Sequence, residues 1–140
     1  MRMGEALNEY KVTAYFAEHV GAGMLGWGWP VALIAVLLLY FYSHYGFASI
    51  TAHLVAMYTP FLALLVAKGV PAPLAAFSLA YFANLDASLT HYGTTPGPII
   101  FGTGYVDQTT WWRLGFYIAL SHILVWTLVG FAWWKLLGLW

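Results

Sequence analysis

The segment LTHYGTTPGPIIFGTGYV, residues 89–106, decides the fold class of this 140-residue chain because it interrupts an otherwise apolar sequence. It combines glycines, prolines, threonines and a histidine, a mixture that favours irregular backbone over a continuous helix. In lipid, backbone that is not helical survives only where it is buried in protein or lines a watery cavity. The segment therefore predicts an interior site rather than a lipid-facing surface.

The composition of the chain is that of a membrane protein. Hydrophobic residues make up 62% of it and charged residues only 7%, whereas soluble domains carry about 25% charged residues. The zero formal net charge gives no support for a nucleic-acid partner, and the lack of cysteine excludes disulfides and thiolate chemistry. The opening MRMGEALNEY has no signal-peptide pattern. From its length and abrupt start, we expect a part of a larger membrane protein.

The pattern of apolar runs predicts an all-α integral membrane fold in two parts, residues 1–26 and 27–140. Residues 4–20 have helical spacing and predict an amphipathic helix at the membrane interface, followed by a glycine- and tryptophan-rich linker. A connector helix outside the membrane is the alternative. The residues that define the two faces are Leu7, Tyr10, Ala14 and Ala17 against Glu5, Glu9 and Glu18.

Residues 31–67 predict a re-entrant helical hairpin. The apolar run 31–42 covers roughly 18 Å, short of the membrane core of about 30 Å. A polar, glycine-containing interruption follows, and a second run covers 51–67. Trp29 and Lys68 flank the pair as interface residues. One kinked helix over 31–67 is the alternative, but it would overshoot the membrane.

Residues 71–106 predict a broken helix, with apolar runs at 71–83 and 99–106 around a polar stretch at 84–98. An interface loop follows, and residues 114–134 form the one run that spans a membrane comfortably. Interrupted helices with glycine or proline at corresponding positions are typical of transporter binding sites.

The first tip, residues 46–51 (GFASIT), lies at the hairpin turn. Ser49 and Thr51 are good N-caps, so the following helix would direct free N–H groups at the tip, where they attract carboxylates. Carbonyls of Gly46 and Ala48 offer ligands to a hard cation such as sodium. Tight packing of small residues is the alternative interpretation.

The second tip, residues 93–98 (GTTPGP), repeats this arrangement. Thr94 or Thr95 is expected to cap a helix whose first turn holds Pro96. Gly93 and Gly97 are expected to let the backbone approach a ligand closely. Two such tips in one chain point to an anion at the N–H ends and a cation at the carbonyls.

Other polar residues near the second tip are candidates for supporting roles. Asp86 is a functional candidate because an intramembrane carboxylate is costly; a helix-end group that reaches water or another helix is the alternative. Asn84 and His91 lie beside it in sequence. No metal-binding spacing links His44, His53 and His91, so hydrogen-bonded structural histidines are favoured over metal ligands.

The stretches YFYSHYGFASITAHLVAMY (40–58) and LTHYGTTPGPIIFGTGYVDQTTWWRLGF (89–116) resemble the C-terminal part of the divalent anion:sodium symporter superfamily. The likeness covers essentially the whole chain and is greatest to the bacterial and plastid branch of 2-oxoglutarate/malate translocators and citrate(tartrate)/succinate antiporters. It implies a longer protein with two inverted repeats, homodimers and an elevator mechanism. This chain would be the second repeat.

The resemblance also implies roles for both tips. A Ser-Asn-Thr motif in the family contacts a substrate carboxylate and helps to form a sodium site, and the broken-helix loop supplies carbonyls to that site. Ile50 replaces the asparagine here, which puts sodium coupling in doubt and fits exchange. The implied substrate-binding residues are Ser49, Thr51, Thr94, Thr95 and Pro96. The implied cation-binding residues are Ala48, Ile50, Gly93 and Thr94.

The function predicted from the resemblance is transport of 2-oxoglutarate, malate, succinate, citrate or tartrate across a bacterial inner membrane, by exchange and without covalent chemistry. No cofactor is expected, and sodium is the one candidate coupling ion. A sodium-coupled symporter and a truncated, non-transporting subunit are alternatives. An intramembrane hydrolase using Ser43 or Ser49 is disfavoured because the chain has no nucleophile elbow.

Overall fold

The computed structural model describes residue 9, residues 11–24 and residues 26–140, and these are built from helices and connecting turns. The α-helices are α1 Val12–Gly23, α2 Trp29–Ser43, α3 Ile50–Ala67, α4 Ala72–Leu85, α5 Gly97–Phe101, α6 Gln108–Val125 and α7 Phe131–Leu136. Single turns of 3₁₀-helix extend α2 and α4 at His44–Gly46 and Asp86–Ser88, and a π-helical turn, Trp126–Gly130, joins α6 to α7. The predicted all-α fold is confirmed.

The N-terminal helix α1 covers the second half of the predicted interfacial helix. Glu5, Leu7 and Tyr10 lie outside the described residues, as do the side chains of Ala14 and Ala17. Glu9 and Glu18 are exposed. α1 packs against α3, where a Cβ on Gly21 would come within 2.9 Å of Leu64.

Local sequence signals explain where the helices begin and end. Pro30 and Pro73 lie in the first turns of α2 and α4, where the missing N–H of proline is harmless. Ser49 and Asp107 accept hydrogen bonds from the amides of Ala52 and Thr110, so they cap α3 and α6. These caps and prolines place the helix starts close to the apolar runs.

Helices α2 and α3 are separate and antiparallel, not one kinked helix. The ring of Tyr40 lies 5.6 Å from that of Phe61, while Ser43, nearer the turn, contacts His53. With the 3₁₀ turn, the first arm runs over 18 residues, as does the second. At about 1.5 Å per residue, each arm is roughly 27 Å long. The arms are therefore longer than the predicted runs, and re-entrant geometry stays a prediction.

The broken helix differs from the prediction after the second tip. α5 ends at Phe101, so a helix over 99–106 is wrong. The Thr103 hydroxyl donates to the carbonyl of Ile100 at 2.7 Å, and Gly104 takes a positive φ of 76°. Both features stop the helix because they divert the backbone groups that would continue it.

The last helical element runs from Gln108 to Leu136, longer than the predicted 114–134. Among the described residues, it is the third of three elements whose length and composition suit a membrane span, together with the two hairpin arms. Its π-helical turn brings Trp126 against Tyr81 of α4, with ring centroids 4.6 Å apart. A π-helical turn widens the helix locally, and here it accommodates this aromatic contact.

The packed core lies among α2, α3 and α4. Its largest buried side chains include Tyr40, Phe41, Phe61 and Phe82. The Tyr58 hydroxyl donates to the carbonyl of Ala76 at 3.1 Å, which joins α3 to α4. These three helices form the packed base that supports both tips.

Candidate functional site

The first tip is built around the N-terminus of α3. Ser49 is its N-cap, as predicted: its hydroxyl accepts from Ala52 N–H at 3.4 Å and its carbonyl from His53 N–H at 3.1 Å. The first amides of a helix have no partner inside the helix. Ile50 and Thr51 supply those amides, so two N–H groups remain at the tip as donors.

The second tip is capped differently from the prediction. Pro96, not Thr94 or Thr95, is at the N-cap position of α5, and no side chain caps that helix. Gly97 N–H donates to the carbonyl of Thr94 at 3.1 Å in a tight turn. The threonine hydroxyls are consequently not needed to start the helix.

Close backbone packing accounts for the two glycines of the second tip. A Cβ on Gly93 would lie 2.7 Å from the carbonyl oxygen of Ala87, and one on Gly97 would collide with that of His91. These contacts give both glycines a role in packing, and close approach of the backbone to a ligand stays a prediction. Both residues are buried, and they let the irregular segment fold back on itself.

A hydrogen bond joins the hairpin to the second tip. Nε2 of His44, in the 3₁₀ turn after α2, lies 2.8 Å from the carbonyl oxygen of Gly93. Both groups are buried, so this contact is shielded from competition by water. The hairpin turn and the irregular segment are thereby held in one arrangement.

The predicted substrate-binding hydroxyls are available as donors. In residues 26–140, the side-chain hydroxyls of Ser49, Thr51, Thr94 and Thr95 donate no hydrogen bond. Thr51, Thr95 and Pro96 are exposed, while Ser49 and Thr94 are half-buried. The predicted cation-binding residues lie in the same two tips: Ala48 is exposed, Ile50 and Thr94 are half-buried and Gly93 is buried.

Behind the tips lies a buried cluster of His44, His53 and Asp86, here called the His–Asp cluster. Nδ1 of His53 lies 3.2 Å from Asp86 Oδ2, and Nδ1 of His44 lies 3.7 Å from Oδ1. All three residues are 0% exposed. The alternative that Asp86 reaches water is wrong, because the carboxylate is enclosed by two histidines.

Two other predicted supporting residues lie apart from this cluster. His91 is half-buried; its Nδ1 accepts from the indole N–H of Trp112 at 3.2 Å, and its ring stacks on Phe101. Asn84 is exposed and donates to the carbonyl of Ala80 at 3.0 Å. His91 is therefore a structural histidine, and Asn84 is bound to its own helix.

Sequence reasoning missed Tyr40 and considered Ser43 only as a disfavoured hydrolase nucleophile, yet both residues complete the surroundings of the His–Asp cluster. Ser43 lies 2.9 Å from Nε2 of His53, and the Tyr40 ring lies 4.5 Å from the His53 ring. The signal was the pair of histidines on either side of the first tip. A hairpin turn between them brings both to one end of the arms.

Comparison with known proteins identifies the family of the chain. The family model for the sodium:sulfate symporter transmembrane region matches residues 1–140. Dicarboxylate transporter 1, chloroplastic, of Arabidopsis thaliana is 45% identical over 140 residues, 99% of this chain and 25% of that protein. The "Putative malate transporter YflS" of Bacillus subtilis is 48% identical over 134 residues, 96% of this chain and 28% of that protein.

A third relative, inner membrane protein YbhI of Escherichia coli, is 36% identical over 110 residues, 79% of this chain and 23% of that protein. The chain thus spans about a quarter of the length of these relatives. The family consists of membrane transporters, not enzymes. A family match over all 140 residues, with three helical elements in the described part that suit a membrane span, makes this an integral membrane chain of the divalent anion:sodium symporter superfamily.

Proposed function

We propose that this chain forms one half of the substrate site of a di- or tricarboxylate carrier. The observation that carries the proposal is the junction of the two tips by the His44–Gly93 hydrogen bond, with unused donors on both. Hydroxyls of Ser49 and Thr51 and amides at the start of α3 would bind one substrate carboxylate. Thr94 and Thr95 would contribute from the other side.

The donors suit a carboxylate because its oxygens only accept hydrogen bonds. The positive end of the α3 dipole adds to the attraction. The relatives named for dicarboxylates and malate support substrates of this class. The rest of the carrier would bind the second carboxylate, and a clamp with two half-sites favours dianions over monocarboxylates because each half-site stabilises one charge.

Exchange is the transport mode that we propose. Ile50 offers no side-chain ligand where the family motif has an asparagine, so a sodium site at Ala48, Ile50, Gly93 and Thr94 would have only backbone carbonyls and the Thr94 hydroxyl as ligands. A counter-transported dicarboxylate would then replace the sodium gradient as the driving force.

The whole protein is proposed to be a homodimer that works by an elevator mechanism in a bacterial inner membrane, surrounded by lipid. The packing of both tips on α2, α3 and α4 supports the elevator part, because a substrate site that moves with its supporting helices needs a rigid base. Relatives from bacteria and from plastids both support a membrane location of this general kind.

Counterflow in proteoliposomes tests the proposal. The full-length protein would be loaded inside with malate, and uptake of labelled succinate, malate, 2-oxoglutarate and citrate measured with and without sodium. We expect uptake that does not need sodium and that falls at least about tenfold in a Ser49→Ala/Thr95→Ala variant. Loss of two charge-assisted hydrogen bonds is worth at least about 1.4 kcal/mol, a factor of ten.

The matched control is Thr109→Ala/Ser121→Ala, which removes two exposed hydroxyls from α6. It should transport like the wild type. Uptake that requires sodium would replace exchange with symport, and absence of uptake by the wild type would favour a non-transporting subunit. Uptake by the Ser49/Thr95 variant at the wild-type rate would overturn the site.

A further inference from the structure

The His–Asp cluster contains four buried polar atoms that have no hydrogen-bond partner in the described part of the chain. They are Nδ1 of His44, Nδ1 of His53 and both carboxylate oxygens of Asp86. Buried polar atoms nearly always have a partner, and an exception calls for a reason such as an ion. The four atoms face one another, so one occupant would satisfy all of them.

A hydrogen bond at the outer edge of the cluster determines which ring nitrogen of His44 carries a proton. Its Nε2 lies 2.8 Å from the carbonyl oxygen of Gly93. A carbonyl oxygen only accepts, so Nε2 carries the proton. In the neutral ring, Nδ1 then holds a lone pair, and that lone pair points at the carboxylate of Asp86.

The same argument fixes His53. The Ser43 hydroxyl donates its one proton to the carbonyl of Tyr40 at 2.7 Å. It therefore accepts from Nε2 of His53, 2.9 Å away. In the neutral ring, Nδ1 of His53 then holds a lone pair 3.2 Å from Asp86 Oδ2. With both rings neutral, two nitrogen lone pairs and a carboxylate face one another.

The distances in the cluster suit ligands around a metal ion. The 3.2 Å between His53 Nδ1 and Asp86 Oδ2 also suits a hydrogen bond, whereas the separation on the His44 side does not. The 3.7 Å between His44 Nδ1 and Asp86 Oδ1 is too long for a hydrogen bond. Ligands bound at about 2.0–2.2 Å to one ion lie roughly 3–4 Å apart. All the ligand atoms lie within 4.8 Å of one another, so a small inward movement would bring them to one ion.

We propose that the His–Asp cluster binds one first-row divalent transition metal ion of the Zn²⁺ class. Its ligands are Nδ1 of His44, Nδ1 of His53 and the carboxylate of Asp86. Two imidazole nitrogens exclude the hard cations Na⁺, Mg²⁺ and Ca²⁺, which prefer oxygen. The Nε2 hydrogen bonds to Gly93 and Ser43 are the outer contacts that orient metal-ligating histidines.

This site replaces the expectation that His44 and His53 are only hydrogen-bonded structural residues. It is separate from the carboxylate site, and it stands whether or not that site is correct. Its ligands come from the turn after α2, from α3 and from the turn after α4. A bound ion would therefore tie the hairpin to the broken helix, so that both tips move together. The rings of Tyr40 and Phe47 cover His53, at 4.5 and 5.2 Å.

The test uses the full-length protein, purified in detergent without a histidine tag. Metal content is measured by mass spectrometry, and the chelated protein is titrated with Co²⁺ while visible absorption is recorded. We expect one tightly held divalent ion per chain, a Co²⁺ absorption typical of four or five ligands, and its displacement by Zn²⁺. Asp86→Asn should weaken Co²⁺ binding by about 100-fold or more, because even outer-shell changes cost 10–100-fold.

Two further variants separate metal ligation from a purely structural role. His53→Cys places a thiolate in the ligand set and should add a sulfur-to-cobalt charge-transfer band in the near ultraviolet. His19→Asn removes an exposed histidine on α1 and should bind Co²⁺ like the wild type. Failure of the folded wild type to bind Co²⁺ or Zn²⁺ would overturn the metal site. The nitrogen and carboxylate atoms of the cluster would then be satisfied by hydrogen bonds between protonated groups. Binding that Asp86→Asn and His53→Cys do not alter would overturn the metal site too.

Discussion

The second arm of the hairpin and the last helical element are equally apolar, yet they are packed very differently. Mean hydropathy is 1.8 for both Ile50–Ala67 and Gln108–Leu136. In the first, 28% of the span is buried, and in its partner arm 39%, whereas in the last element only 11% is buried. In a membrane, apolar character does not distinguish a protein-facing side chain from a lipid-facing one. What distinguishes these regions is their buried polar residues, which in the described part of the chain lie in the hairpin and the broken helix: His44, His53, Ser78, Asp86 and Thr90.

The same difference indicates which part of the chain holds the candidate sites and which part faces its surroundings. The hairpin and the broken helix hold both tips and the His–Asp cluster. The last element contacts the broken helix through Trp112, Gly115 and Trp126, and it presents most of its other apolar side chains outward. We infer that the hairpin side holds the substrate, while the last element lies against lipid or against the rest of the protein.

The largest expected effect is that of a cavity in the hairpin. Phe61→Ala removes a fully buried ring that contacts Tyr40, and it should lower the free energy of unfolding by about 3 kcal/mol. Phe116→Ala, at a position 48% exposed on α6, should change it by less than about 0.5 kcal/mol. Thermal unfolding of the full-length protein in detergent measures both. Equal losses would mean that the last element is as tightly packed as the hairpin.

The next effect concerns the close backbone contact between Gly115 of α6 and the irregular segment. A Cβ on Gly115 would lie 2.6 Å from the carbonyl oxygens of Ser88 and Leu89. Gly115→Ala should therefore destabilise the protein by about 2 kcal/mol through backbone displacement. Gly23→Ala, in open space at the end of α1, is the control and should not destabilise. An unchanged melting temperature for Gly115→Ala would show that this contact is loose.

A smaller effect is expected from the hydrogen bond between Trp112 and His91. Trp112→Phe keeps an aromatic ring and loses the N–H that donates to His91 Nδ1 at 3.2 Å. The cost should be about 1 kcal/mol. Trp133→Phe alters a more exposed indole, at 58% against 40%, and should cost less. If both variants melt alike, the bond does not hold the second tip to α6.

The smallest effect is a pH dependence at the start of the last element. Hydrogen bonds from the amide and hydroxyl of Thr110 hold the pKa of Asp107 below its ordinary value. A carboxylate with a lowered pKa in the folded state stabilises at neutral pH, and this contribution is lost as the pH falls through that lowered pKa. The melting temperatures of wild type and Asp107→Asn should thus converge on acidification. Thr110→Val, which keeps the amide, should lie between them, and a gap that widens in acid would refute the capping role.

Local chemistry made much of the fold predictable. Ser49 caps α3 because serine in that position accepts from the helix amides, whatever surrounds it. The start of α5 was not predictable, because the turn around Gly93 and Gly97 depends on backbone contacts with Ala87 and His91. Such contacts form only when the whole segment folds.

The candidate site was predictable where it depends on local sequence, and not where it depends on contacts between distant residues. Both tips follow from glycine, proline and hydroxyl residues at the ends of apolar runs. The His–Asp cluster required knowledge of which side of α3 carries His53 and where Asp86 meets it, and no sequence spacing encodes this. The polar residues could therefore be located along the chain from sequence, but the contacts among them could not be predicted.

Cysteine protection tests the central claim that the tips bind the substrate and the last element does not. The chain has no cysteine, so Thr95→Cys and Leu128→Cys can be compared in a cysteine-free form of the full-length protein, using a membrane-impermeant thiol reagent. Thr95 is exposed at the second tip, and Leu128 is 67% exposed on the apolar last element. We predict that Thr95→Cys reacts and is protected by malate or succinate but not by acetate, while Leu128→Cys does not react. Labelling of Thr95→Cys that no dicarboxylate slows would contradict the account.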